Sequence, residues 1–125
     1  MQKQPKKIVA VLSDLFFSVK ITEAAKRAGM ALEFVKDPEE VVEKSREKPA
    51  LIIFDLNFEA AQPLKLIRRL KGDAELKGTS VIGYLSHVQG ELKQQALEAG
   101  FDMVMARSAF SQNLPQILKR HAGAI

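Results

Sequence analysis

The sequence predicts an α/β domain in which five parallel strands form a doubly wound sheet covered by five helices. Three observations lead there. Apolar runs of four or five residues alternate with helical periodicity from end to end, the pattern of parallel strands buried on both faces. The segments between them are short and carry helix caps, Pro and Gly at the expected places. Three of the runs end in polar residues, Asp55, Ser86 and Arg107, and the carboxyl edge of an open α/β sheet is where ligands and chemistry gather.

Ile8 to Leu12 reads as the first strand. The helix after it buries Phe17, Ile21, Ala24, Ala25 and Ala28, spaced i, i+4, i+7, i+8 and i+11, and stops at Gly29. Ala31 to Val35 is the second strand. Asp37-Pro38-Glu39-Glu40 then supplies an N-cap, a proline at the first helical position and acids in the positive first turn of a helix running to about Glu47. Ala50 to Phe54 is strand three, and Gln62-Pro63 opens a helix with Leu64, Ile67 and Leu70 inward that ends at Gly72. Strand four is Val81 to Leu85, helix four Glu91 to Ala99 before Gly100, and strand five Met103 to Ala106. The last helix covers Gln112 to His121, with Leu114, Ile117 and Leu118 inward and Pro115 early enough to cost few hydrogen bonds.

A chain of 125 residues suits one domain able to bury its own core. The expected division is a basic tail over 1–6, a folded unit over 7–121 and a short tail over 122–125, with no room for an output domain. Cys is absent and there are two His, which excludes disulfides and thiolate metal sites. No apolar run approaches the ~20 residues of a membrane span, and Asp14 interrupts the stretch after the basic start, unlike a signal peptide. A cytoplasmic protein without membrane contact is the expectation. The net charge of +4 is local: residues 1–62 hold ten basic and ten acidic side chains, residues 63–125 nine and five. Lys65, Arg68, Arg69 and Lys71 supply much of the excess, and without interleaved aromatics they read as a solvated helix face and not as a nucleic-acid surface.

Asp55, Ser86 and Arg107 bring a carboxylate, a hydroxyl and a cation to one sheet edge, a set suited to a phosphoryl group. From Lys7 to Arg120 the sequence resembles a response-regulator receiver domain of the CheY-like kind, in an atypical or pseudo-receiver form. Leu51-Ile52-Ile53-Phe54-Asp55-Leu56-Asn57 is similar to the family's phosphoacceptor strand. Ser86 follows Asp55 by 31 residues, where the family has Thr or Ser; Ala96-Leu97-Glu98-Ala99-Gly100-Phe101-Asp102 resembles the run before its last strand; Arg107 stands in place of its Lys. The resemblance implies a flavodoxin-like strand order of 2-1-3-4-5, phosphorylation of Asp55, and a backbone carbonyl at Asn57 on Mg²⁺. It also implies a histidine kinase or phosphotransfer protein as donor, and an output partner on the face of helix four, strand five and helix five.

The departures from the family concern the metal and the switch. The two acids that hold Mg²⁺ after strand one are Leu12 and Ser13 in an ungapped alignment. A one-residue shift puts Asp14 in the second place, and Glu59 stands in the next loop. The metal candidates are therefore Asp55, Asn57 and Asp14, with Mg²⁺ binding expected to be weak or absent because a hard ion wants carboxylate oxygens. Arg107 either clamps a phosphate or pairs with Asp55, and its planar fork differs from an ammonium. The family's strand-five aromatic is Val104 here, its proline after the Lys is Ser108, and Phe58-Glu59-Ala60 follows Asn57 without a proline. Bland readings stand beside these: Ser86 as a helix cap, His87 as a solvated loop residue, and His121 as a helix-end cation.

The resulting expectation is a phosphorelay signalling protein without turnover activity, in which Asp55 is the acceptor, Ser86 and Arg107 are donors and the metal site is degenerate. The alternative is a pseudo-receiver adaptor that is never phosphorylated. A flavin-binding use of the same fold is disfavoured, because Ser13-Asp14-Leu15-Phe16-Phe17 has no Gly and two bulky aromatics where a phosphate loop would lie.

Overall fold

The structure is a computed structural model that describes residues 6–86 and 90–122. Its strands are β1 (Lys7–Val11), β2 (Ala31–Phe34), β3 (Leu51–Asp55), β4 (Ser80–Leu85) and β5 (Met103–Ala106). All pair in parallel in the order β2-β1-β3-β4-β5, as the resemblance implied. The helices are α1 (Leu15–Ala28), α2 (Pro38–Ser45), α3 (Pro63–Lys71), α4 (Gly90–Ala99) and α5 (Arg107–His121), with a 3₁₀ turn over Glu59–Ala61.

Pleating divides the core. Ile8, Ala10, Leu51, Ile53, Ile82 and Tyr84 point toward α1 and α5, where Phe17, Ile21, Phe110, Leu114 and Leu118 meet them. Val9, Val11, Ile52, Phe54, Val81 and Leu85 point the other way, toward Val41, Ile67, Leu70 and Ala96 of α2, α3 and α4. The central strands β1, β3 and β4 are apolar on both faces because each face is covered by helices.

Several boundaries shift by a residue, as helix and strand ends do. The larger correction is α5, which begins at Arg107 and not at Gln112. Its stripe is Phe110, Leu114, Ile117 and Leu118, one continuous i, i+4, i+7, i+8 set. Its N-cap is Ala106, which has no side chain able to cap and so left no start signal. Pro115 consequently lies inside the helix, where it removes the hydrogen bond that would reach the carbonyl of Ser111. In α3, Leu66 is buried with Ile67 and Leu70, whereas Leu64 is only partly covered.

The basic run of α3 is partly structural. Arg69 forms an ion pair with Glu39. The Lys71 ammonium donates to the carbonyls of Lys77 (3.1 Å) and Thr79 (3.0 Å) and to Asp102 (3.2 Å), binding the loop that leads into β4. Gly100 has φ of +128°, and a Cβ there would come within 2.7 Å of Lys71 Cγ; only glycine fits that backbone and that space. Gly83 sits mid-strand for a different reason: a Cβ would lie 3.1 Å from both Leu56 and Phe101. No helix among the described residues is long and apolar enough to cross a membrane.

Candidate functional site

Asp55 is the last residue of β3 and its register partner on β4 is Tyr84. The carboxylate is half-buried. Its Oδ1 accepts the Asn57 N–H at 2.9 Å, closing a turn that holds the side chain against the sheet edge. Asn57 then reaches across to β4, where its Oδ1 accepts the backbone N–H of Ser86 at 2.7 Å. Leu56 N–H donates to the Tyr84 carbonyl at 2.8 Å, continuing the ladder one residue past the strand. Asp55, Asn57 and Ser86 thus form one connected unit at the carboxyl end of β3 and β4.

The second unit joins β1 and β5. Asp14 is the N-cap of α1: its Oδ1 accepts from Phe16 N–H (2.9 Å) and Phe17 N–H (3.4 Å). Its Oδ2 is free to face the start of α5, where it forms an ion pair with Arg107. The Arg107 guanidinium also lies over the Phe17 ring, with Cζ 4.6 Å from the centroid. The expected pairing of Arg107 with Asp55 is therefore replaced. Among the described residues Asp55 has no ion pair, and Arg107 is held on the α1 side by a carboxylate and an aromatic face together.

Charge still couples the two units. Burial raises the Asp55 pKa above the ordinary carboxylate value, and the nearby Asp14 charge adds to this; the Asn57 N–H and the Arg107 charge work in the opposite direction. A half-buried carboxylate whose burial outweighs these favourable contacts is easier to protonate than a fully solvated one.

The donor set does not fit Mg²⁺. Leu12 is 1% exposed within the α1/α5 core, so it offers that edge no ligand. Ser13 and Glu59 are exposed. Both oxygens of Asp14 are occupied, one as helix cap and one by Arg107. Among the described residues no group of three or more His, Cys, Asp or Glu could hold a metal ion. Asp55 with the Asn57 carbonyl leaves a single carboxylate, a poor site for an ion that demands octahedral oxygen ligation. His87 lies outside the described residues. His121, in the last turn of α5, places Nδ1 2.8 Å from the Ile117 carbonyl oxygen.

An aromatic layer at this edge escaped the sequence reading. The Tyr84 ring stacks on Phe110 at the start of α5 (4.8 Å, 19°) and packs against Phe17 at the start of α1 (5.0 Å). Its hydroxyl is buried and makes no hydrogen bond among the described residues. The signal was present: the chain has one tyrosine, and it interrupts an otherwise apolar run two residues before Ser86.

No protein-family model matches the sequence, and no curated protein matches it. Solved structures do. A response regulator from Hahella chejuensis is similar with a TM-score of 0.84 at 18% identity, over 95% of this chain and 96% of that one. The phosphorylated cyanobacterial phytochrome response regulator RcpA is similar at 0.77 and 22% identity, over 94% and 91%. The receiver domain of the sensor histidine kinase PA1611 from Pseudomonas aeruginosa, with a magnesium ion coordinated in its active-site cleft, is similar at 0.79 and 18%, over 97% and 100%. At such identities the likeness is one of architecture, and the architecture is that of the CheY-like receiver domain of response regulators.

Proposed function

We propose that this chain acts in two-component phosphorelay signalling as a receiver-like module, with Asp55 as its phosphoacceptor. The observation that carries the reading is the placement of a half-buried carboxylate at the carboxyl edge of β3, oriented through one oxygen by the Asn57 N–H and within the field of Arg107. The other oxygen, Oδ2, attacks phosphorus of a phosphohistidine; the P–N bond breaks, the imidazole takes up a proton, and an acyl phosphate forms on Asp55. Ser86 and Arg107 are the donors to the transferred group, and Arg107 must leave Asp14 to reach it. The module stores the group and does not turn over substrate.

A histidine kinase or phosphotransfer protein is the donor. Leu15, Phe16 and Val19 of α1, each more than half exposed, border the crevice and support a protein contact there. The output partner meets the face of α4, β5 and α5, on which Leu97 and Met103 are exposed. The lack of Cys, and of any membrane-length apolar helix among the described residues, is compatible with the cytoplasmic setting we propose. A flavin phosphate finds no room at the start of α1, because Asp14 already takes those N–H groups and would repel an anion.

One observation favours a second reading. Arg107 is committed to Asp14 and the acids for Mg²⁺ are missing, which suits a pseudo-receiver adaptor that binds partners without phosphorylation. Intact-mass analysis after incubation with phosphoramidate and Mg²⁺, and separately with a phosphorylated histidine phosphotransfer protein, distinguishes the two. We expect a single phosphoryl increment on the wild type and none on Asp55→Asn. An unlabelled wild type under both donors establishes the adaptor.

A further inference from the structure

We propose that the Tyr84 hydroxyl is an additional hydrogen-bond donor of the Asp55 site, engaged by a tetrahedral oxyanion seated between Asp55 and Arg107. The proposal rests on the reading of Asp55 as acceptor and extends it to a residue on the neighbouring strand.

Three independent observations converge on this hydroxyl. Asp55 and Tyr84 are direct register partners in a parallel pair, so their side chains leave the sheet on the same side. The tyrosine is fully buried, yet its hydroxyl finds no partner among the described residues. A buried hydroxyl without a hydrogen bond costs stability that phenylalanine would not. The ring is fixed between Phe17 and Phe110, the aromatic residues of the first turns of α1 and α5, and Arg107 stacks on that same Phe17. An anion that draws Arg107 off Asp14 therefore disturbs the ring that encloses the hydroxyl.

Electrostatics keep the proton on the hydroxyl, so it can donate. Burial, with the charges of Asp55 and Asp14, pushes the Tyr84 pKa far up, so the phenol keeps its proton at any physiological pH. An incoming oxyanion meets an O–H and not a phenolate. Tyr84 is in this sense a positioning residue: it fixes one equatorial oxygen while Asp55 carries the group.

The chain contains one tyrosine and no tryptophan, so its tyrosine emission reports on the Tyr84 side chain alone. The experiment titrates wild type, Asp55→Asn and Tyr84→Phe with beryllium fluoride in the presence of Mg²⁺, following emission and calorimetric affinity. We expect wild-type emission to change on binding, Asp55→Asn to show neither binding nor change, and Tyr84→Phe to bind about tenfold more weakly. Without ligand, Tyr84→Phe should denature at an equal or higher urea midpoint. Equal affinity of Tyr84→Phe and wild type, with unchanged wild-type emission, overturns the Tyr84 role and leaves the Asp55 reading standing. Absence of beryllium fluoride binding to wild type overturns both. A lower urea midpoint for Tyr84→Phe shows that the hydroxyl already has an internal partner, and overturns the proposal as well.

Discussion

The two halves of the crevice are built from different forces. On the β3/β4 side, Asp55, Asn57 and Ser86 are joined by bonds from backbone N–H groups to side-chain oxygens. Such bonds are short-range, nearly independent of salt, and sit in the turns that directly follow the two strands. On the β1/β5 side, Asp14 and Arg107 are joined by charge across 93 residues of sequence, between the first turns of two helices. Their side chains are 24% and 35% exposed, so water and salt weaken the pair. The first half is a frame of side-chain bonds onto the loop backbone, and the second is a latch held by charge.

Three experiments test that division. The largest effect belongs to Leu12→Asp, which would restore an acid where the metal-holding position aligns. Leu12 is buried in the α1/α5 core, so the change removes a packed side chain and buries a carboxylate; we expect a loss of about 4 kcal/mol or more. Urea denaturation measures it. A loss below about 1 kcal/mol would place residue 12 on the crevice and return the metal site to consideration. Ser13→Asp alone is the tolerable repair, since Ser13 is exposed.

The latch should be weaker and salt-sensitive. A double-mutant cycle of Asp14→Asn and Arg107→Gln keeps the helix cap, because Asn caps as Asp does. It isolates a coupling of about 0.5–1 kcal/mol that shrinks in 1 M salt. A coupling above about 3 kcal/mol would mark a buried structural pair, unable to release Arg107.

The smallest effect has a sign set by pH. The folded-state pKa of Asp55 is raised above its ordinary value of 3.8. The unfolded chain therefore releases this proton first, and Asp55 lowers stability as pH rises from about 3.8 through its folded pKa. Asp55→Asn should accordingly be more stable than wild type at neutral pH, by roughly half a kcal/mol, with the advantage vanishing at pH 3. Thermal midpoints across pH 3 to 8 test this, and a less stable Asp55→Asn at pH 7 would mean that Arg107 does neutralise Asp55.

Much of this was legible in the chain because it depends on local pattern. The alternation of apolar runs with helical stripes located all five strands, and the strand-end positions of Asp55, Ser86 and Arg107 brought them to one edge. The choice of partner for Arg107 was not legible. It depends on Asp14 capping α1 through one oxygen and presenting the other, a rotamer and a helix start that no spacing encodes. The early start of α5 was hidden by an alanine cap, and that start is what makes Arg107 a helix residue facing α1. Tyr84 was passed over because its ring satisfied the apolar pattern while its hydroxyl did not.

Gly83 carries a consequence for how such a site can change. It lies one residue from Tyr84, far inside β4, and the nearest atoms a methyl there would meet belong to Leu56 and Phe101. Leu56 is the residue between Asp55 and Asn57, so the packing above Gly83 bears directly on the acceptor turn. A single added carbon in the hydrophobic interior would press on the Leu56 side chain and on Phe101. Pressure on the acceptor turn can thus come from the apolar interior, with every polar residue of the crevice left in place.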